Sequence, residues 1–179
     1  MIDKPTLADK PTIAGTLVTL RPVQRSDAAE LAATDHETDR LTGTHLSYTL
    51  AELEQWYATR GERTDRVDWT IVENATDAWA GEVVLNDLNV DNRSCGFRIM
   101  LQGPRFFGRG LGSEATTLAV AHAFAVGVHR IELEVYDFNP RARHVYEKAG
   151  FRLEGTKRDA LLWDGAWVDA HVMSLLSTD

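Results

Sequence analysis

The sequence predicts an α/β (α+β) domain built on a mixed, mostly antiparallel central sheet of about seven strands with helices on both faces. Three observations carry that expectation. Stretches 68–73, 79–88 and 94–101 are strand-like and are separated by the turn compositions Asn74-Ala75-Thr76-Asp77 and Asp91-Asn92, the pattern of an antiparallel meander. Stretch 114–126 then carries apolar side chains at helical spacing and is followed by 129–137, where Ile131, Leu133 and Val135 alternate with Glu132, Glu134 and Tyr136. A helix between two strands makes a crossover, so strands 94–101 and 129–137 are expected to lie parallel at the centre of the sheet. Finally, no repeat, linker or low-complexity tract breaks the order, and 179 residues suit one domain.

Taken in order, residues 1–15 read as a flexible arm, polar and proline-bearing, ahead of a single domain over 16–179. Residues 16–21 alternate as a strand closed by Pro22, and Ser26-Asp27 caps a helix over 28–34. Stretch 38–48, with Gly43 and mixed polarity, reads as loop. Thr49 caps a helix running to Arg60, whose Leu50, Leu53, Trp56 and Tyr57 share one face; that spacing predicts core packing, although the two aromatic rings could touch a substrate. Asn139-Pro140 opens another helix, ended by Gly150, and 151–162 with 167–176 form a closing strand pair around Asp164-Gly165.

A formal net charge of -8 argues against a nucleic-acid surface and allows a cationic ligand to be steered inward, though it also serves plain solubility. The longest apolar runs are too short to cross a bilayer and residues 1–12 lack a signal pattern, so a cytoplasmic protein is expected. Cys95 is the one cysteine, which excludes an internal disulfide, and the six histidines lack zinc-like spacing, so no metal is expected.

The chemistry-bearing stretch is Gly103-Pro-Arg-Phe-Phe-Gly-Arg-Gly-Leu-Gly-Ser113, between a strand and a helix. Glycines at 108, 110 and 112 let a ligand approach the backbone, and the start of the helix adds unpaired N–H groups and the positive end of its dipole, a setting for pyrophosphate. A P-loop reading fails, because Arg109 and Gly110 stand where lysine and a hydroxyl are needed. A dinucleotide loop would have its last glycine one place later than Gly112. A glycine-rich turn with no ligand stays open on the loop alone.

A second stretch, Asn139-Pro-Arg-Ala-Arg-His-Val-Tyr146-Glu-Lys-Ala-Gly150-Phe151, follows one strand later. Together the two resemble the Gln/Arg-x-x-Gly-x-Gly/Ala and Asn-x-x-Ala-x-x-x-Tyr-Glu-Lys-x-Gly-Phe signatures of the GCN5-related N-acetyltransferases (GNAT), with Phe107 in place of the usual Gln or Arg. The aromatic-Gly-Arg-Gly loop and Asp164-Gly165-x-Trp167 look most like the RimJ/RimL-type and spermidine-acetyltransferase branch. The resemblance implies acetyl-CoA as cosubstrate. It places the pantetheine arm along Ile99, Met100 and Leu101, and the pyrophosphate on Phe107, Gly108, Arg109, Gly110, Leu111, Gly112 and Ser113. It adds Asn139 and Arg143 as cofactor contacts, with Asn139 also able to cap its helix. Tyr146, two helical turns beyond Asn139, would protonate the departing thiolate.

The general base is less marked. The strand before the loop opens Ser94-Cys95-Gly96, where relatives often carry a carboxylate, and Ala142 and Leu161 occupy positions that are polar in the ribosomal-protein branch. Glu82 is the choice, by its place on the neighbouring antiparallel strand; Asp87, Glu134, Asp137 or a water chain are alternatives. The expected activity is acetyl transfer to a primary amine, a protein N-terminus or a small amine such as a polyamine or aminoglycoside, by direct attack in a ternary complex. Specificity is expected from 35–60 and 157–168. A cofactor-binding module without turnover is the other class, and the resemblance makes a homodimer the expected assembly.

Overall fold

A computed structural model describes residues 4–45 and 47–179. Its sheet has eight strands: β1 (Ile13–Ala14), β2 (Val18–Pro22), β3 (Val67–Glu73), β4 (Ala78–Asn89), β5 (Ser94–Leu101), β6 (Arg130–Tyr136), β7 (Arg152–Trp163) and β8 (Ala166–Leu176). Their order across the sheet is β1-β2-β3-β4-β5-β6-β8-β7. Every neighbouring pair is antiparallel except β5 and β6, the central parallel pair that the crossover argument requires. Five α-helices decorate the sheet: α1 (Ala28–Ala32), α2 (His36–Thr42), α3 (Leu50–Arg60), α4 (Leu111–Ala125) and α5 (Pro140–Lys148).

The two faces carry different material. Odd-numbered residues of β3 point to α4, so that the Trp69 ring meets His122 edge-on at 5.2 Å. That face is the main core, in which Ala115, Ala119 and Ala123, four residues apart, let α4 lie close on the strands while Phe97, Tyr146 and Phe151 fill the space towards α5. Even-numbered residues point the other way, where Thr70 Oγ1 donates to Asp27 Oδ2 at 2.9 Å and a small separate cluster of Ala28, Leu53 and Tyr57 seats α1 and α3. The face towards α4 is apolar and close-packed; the face towards α3 holds buried polar groups.

Four expectations are corrected. The sheet gains its eighth strand because the 1–15 arm is not loose over its described part: Leu7 is fully buried, Pro11 O accepts from Trp69 Nε1 at 2.9 Å, and Ile13–Ala14 pair with β2. The first strand of the domain accordingly runs Val18–Pro22 rather than from residue 16. The loop expected over 38–48 contains α2, capped by Asp35, whose side chain accepts from Thr38 N at 2.8 Å, and ended by Gly43 at φ 67. Finally α4 starts at Leu111, three residues before the expected Glu114, so Gly112 and Ser113 are helical rather than loop.

Two glycine-dependent features hold the centre. Gly81, at φ 151 in a β3–β4 bulge, lies so close to β5 that a Cβ there would stand 2.0 Å from Met100 O. Gly110 forms the N-cap of α4 at φ 82, a left-handed conformation that a β-carbon strains.

Candidate active site

Pairing between β5 and β6 covers Ser94–Arg130, Cys95–Ile131 and Gly96–Glu132 and then stops, although both strands continue. Which main-chain groups this leaves bare follows from the β4 side. Gln102 N donates to Ala80 O at 2.8 Å and the Met100 carbonyl points at Gly81, so even-numbered residues spend their hydrogen bonds on β4. The main-chain groups of Ile99 and the N–H of Leu101 therefore face the gap towards β6, while the Leu101 carbonyl is taken by Gly103 N at 3.0 Å. Met100 turns its backbone away and stands opposite Glu82 in the register, its side chain on the α3 face. The gap belongs to a cleft of about 1650 Å³ that runs through the sheet from the glycine loop to α2 and α3.

At one end of the cleft the chain passes Gly103 (φ 77), one 3₁₀ turn over Pro104–Phe106, Gly108 (φ 70) and Gly110, and enters α4. The first helical bond is Glu114 N to Gly110 O at 3.0 Å; among the described residues no acceptor meets the N–H groups of Leu111, Gly112 and Ser113, and all three residues line the cleft. These are unpaired amides at the positive end of a fifteen-residue helix, a setting that favours an anion. A Cβ on Gly112 would make only ordinary contact, 3.5 Å from Leu101 Cδ1, so the protein itself does not demand glycine there. A ligand lying on the helix start would.

The remaining predicted cofactor contacts divide. Phe107 and Gly108 line the cleft. Arg109 does not: its guanidinium is paired with buried Glu73 at the end of β3 and also donates to Arg105 O at 3.3 Å. Arg143 lies along its own helix, bonded to Glu147 at 2.9 Å, outside the cleft. Of the two arginines of α5, Arg141 is the one that lines the cleft, its guanidinium 3.9 Å from the centroid of the Phe107 ring. Sequence reasoning missed it because the helix phase set by the Asn139 cap, not residue type, decides which of two arginines faces inward. Asn139 caps α5 by accepting from Ala142 N at 3.1 Å and lines the cleft as well.

Tyr146 is held edge-on by Phe97 and Phe151, with ring centroids 6.1 and 6.0 Å away, and borders the cleft. Its hydroxyl makes no hydrogen bond among the described residues, and burial raises its pKa above the ordinary phenol value, so it enters any reaction as a proton donor. Cys95 is buried nearby, and burial, with the charge of Glu132, pushes its thiol up to about 12, which makes it inert.

Across the sheet lies Glu82. Burial, reinforced by the charge of Asp27 and opposed by Arg98, pushes its carboxyl up to about 8, within reach of a proton exchange near neutral pH. The Tyr57 hydroxyl donates to Glu82 Oε1, a contact the helical spacing alone, which predicted Tyr57 as core, did not reveal. The other carboxylates are placed differently. Glu134 is paired with Lys157, Asp137 lies 3.0 Å from His171 Nε2, and Asp87 stands exposed on a β-bulge at φ 54. α2 spans the mouth between the two strand ends: Thr38 Oγ1 accepts from Gly103 N at 3.2 Å, Gly43 packs against the Tyr136 ring, and Arg40 lies 4.3 Å from the centroid of Phe138.

A splayed parallel pair over a free helix start, with a phenol and a carboxyl lining one cleft, offers bare backbone and unpaired amides suited to an extended, pyrophosphate-bearing molecule. Comparison with known proteins gives that arrangement a family. The family model described as Acetyltransferase (GNAT) domain matches residues 18–152. The spermidine N(1)-acetyltransferase of Vibrio cholerae is 31% identical over 109 residues, 60% of this chain and 62% of that protein, so the match spans less than two thirds of the relative. The spermidine N(1)-acetyltransferase of Escherichia coli K12 is 28% identical over 167 residues, 88% of this chain and 85% of the other. The crystal structure of spermidine N-acetyltransferase from Vibrio cholerae in complex with CoA and spermine superposes with a TM-score of 0.84 at 24% identity, covering 92% of this chain and 98% of that one, a likeness of fold. The chain belongs to the acetyltransferase (GNAT) family. Enzymes of this family take their acetyl group from acetyl-CoA, and the relatives named here are N-acetyltransferases, which leaves a module without turnover unsupported.

Proposed function

We propose that the protein is an acetyl-CoA-dependent N-acetyltransferase that passes the acetyl group directly to a primary amine of a small polycation, of the polyamine type. The observation that carries this reading is the open edge of β5 beyond Gly96 set beside the free amides of α4. The backbone of Ile99 and the N–H of Leu101 pair with the amides of the pantetheine arm, and Leu111, Gly112 and Ser113 take the pyrophosphate, with Arg141 on Phe107 adding a positive charge. Acetyl-CoA brings an activated thioester carbonyl to this gap. Glu82 takes one proton from the incoming ammonium and frees its lone pair; Tyr146 gives its proton to the departing sulfur and regains one from the nitrogen that has been acylated. The proton on Glu82 leaves to solvent. The polyamine acceptor is supported by the named relatives, by a net charge of -8 and by the half-buried Asp39 at the cleft.

The test is thiol release across polyamines, aminoglycosides and N-terminal peptides, against pH and salt, with wild type and Glu82→Gln. Turnover of a polyamine that weakens as salt rises supports the assignment, since attraction across solvent is screened over about 8 Å. Turnover confined to peptides rejects the polycation, and an unaltered pH limb in an active Glu82→Gln rejects Glu82 as base. A homodimer formed over the exposed β7–β8 hairpin belongs to the same proposal, supported by Leu153, Leu162 and Trp167, which are 48%, 45% and 61% exposed; light scattering at monomer mass would reject it. No helix of the described residues is long and apolar enough to cross a membrane, which agrees with a cytoplasmic site of action.

A further inference from the structure

Glu82 is a carboxyl with two oxygens, and the structure assigns them differently. Oε1 accepts from the Tyr57 hydroxyl, and no hydrogen bond among the described residues engages Oε2. Tyr57 arrives there as the eighth residue of α3, whose start is set by a capping box in which Thr49 and Glu52 bond each other's backbone N–H groups. Its ring is one of three buried members, with Ala28 and Leu53, of the cluster that docks α3 and α1 on the sheet. We infer that Tyr57 is a positioning residue for the acceptor chemistry: by occupying one oxygen of Glu82 it turns the other towards the incoming ammonium, and so ties the docking of α3 to the readiness of the base. The inference rests on the reading of Glu82 as that base.

The surroundings make the bond matter. Among the charged groups around Glu82 are Asp27 from the 3₁₀ turn before α1 and Arg98 from β5, and the same cleft is lined by the Arg66–Asp68 ion pair at the start of β3 and by Asp39 from α2. Asp27 is itself held by Arg21 at 2.7 and 2.8 Å, by Gln24 N and by Thr70, which fixes a negative charge under Glu82 and resists its ionisation. Arg98, the opposing cation, is exposed and makes no ion pair among the described residues. A donor on Oε1 then adds to the charge of Arg98 in supporting the ionised carboxylate.

The test is the pH dependence of kcat/KM and of kcat in Tyr57→Phe, which keeps the packed ring and removes only the hydroxyl. The ascending limb assigned to Glu82 is expected to move up by about one pH unit, with kcat/KM down about tenfold below the limb and restored within a factor of two above it. Loss of the same size at every pH with an unmoved limb overturns the inference, because that is what a purely structural tyrosine would give. Fluorotyrosine at position 57, a stronger donor of the same shape, should move the limb down, and keeps the question answerable if the phenylalanine variant folds poorly. In Glu82→Gln the added Tyr57→Phe change should cost nothing further. If Glu82→Gln itself retains the limb, the reading of Glu82 falls; if it abolishes the limb while Tyr57→Phe leaves it in place, only the inference about Tyr57 falls.

Discussion

The two sides of the cleft are built from different materials. On the side proposed for the cofactor the groups that face the cleft are main-chain ones, those of Ile99, the Leu101 N–H and the first turn of α4. On the side proposed for the acceptor they are side chains, Glu82 and Tyr57 foremost, contributed by β4 and by α3 on the other face of the sheet. Backbone recognition suits a cosubstrate that never changes, because it depends on where chain direction and glycine put the peptide groups. Side-chain recognition can be altered one residue at a time without disturbing the sheet, which is what an acceptor site requires.

The sharpest break in that contrast is chemical. Tyr146→Phe is expected to leave the fold and CoA binding intact and to lower turnover by about 10²-fold, read as single-turnover rate; a change within a factor of two would give the protonation of sulfur to water. Next in size is the backbone itself. Gly110→Val places a β-branched residue at φ 82 and disturbs the helix start, and should weaken CoA binding by about 2 kcal/mol or more, roughly 30-fold, by calorimetry. Unchanged affinity in a folded variant would remove the glycine loop from the site.

A third measurement separates the acceptor side by stability. The folded pKa of Glu82, about 8, lies above its unfolded value of about 4.5, so the proton stabilises the fold fully below 4.5 and that support is lost as pH rises towards 8. Glu82→Gln, which has no proton to lose, should therefore gain stability over wild type progressively between those values, by about 2 kcal/mol at pH 8 after allowance for solvent at the cleft. A difference in Tm that stays flat with pH would show that the carboxyl titrates normally. The smallest effect is a comparison of two arginines. Arg141→Ala should raise the KM for acetyl-CoA by several-fold, about 1 kcal/mol, whereas Arg143→Ala should leave it within a factor of two.

The same contrast governs how much could be read before the structure. The parallel pair was legible from the crossover, and α4 and α5 because Gly110, Gly112, Asn139-Pro140 and Gly150 impose local geometry, and local geometry is written locally. Even there α4 begins at Leu111, since the first turn of a helix tolerates glycine and serine and so hides its own boundary. Tyr57 and Leu53 were visible as a helical face, but that the hydroxyl of Tyr57 ends on Glu82 depends on how α3 docks across β4, which no spacing within α3 contains. Most of α2 was read as loop because 38–48 contains Gly43 and is of mixed polarity, six of the seven residues of α2 being polar, and its stability comes from Asp35, Gly43 and contacts with Gly103, Tyr136 and Phe138. Arg109 and Arg143 were assigned by their type and neighbourhood, and the partners that claim them, Glu73 and Glu147, lie on the outside of the cleft.

At the closed end of the gap sits Arg93. Its carbonyl accepts from His129 N at 2.6 Å and from Arg130 N at 3.1 Å, and its Nε donates to Gly127 O at 2.7 Å, so one residue staples the start of β5 to the start of β6 and to the turn after α4. The two strands thus diverge from Arg93 as the arms of tweezers diverge from their joint. Eight residues of β5 make an arm of roughly 25 Å, and a rotation of about 5° at the joint moves the tip by about 2 Å. Leverage of that kind lets residues a full strand length from the chemistry set the width of the opening in which it takes place.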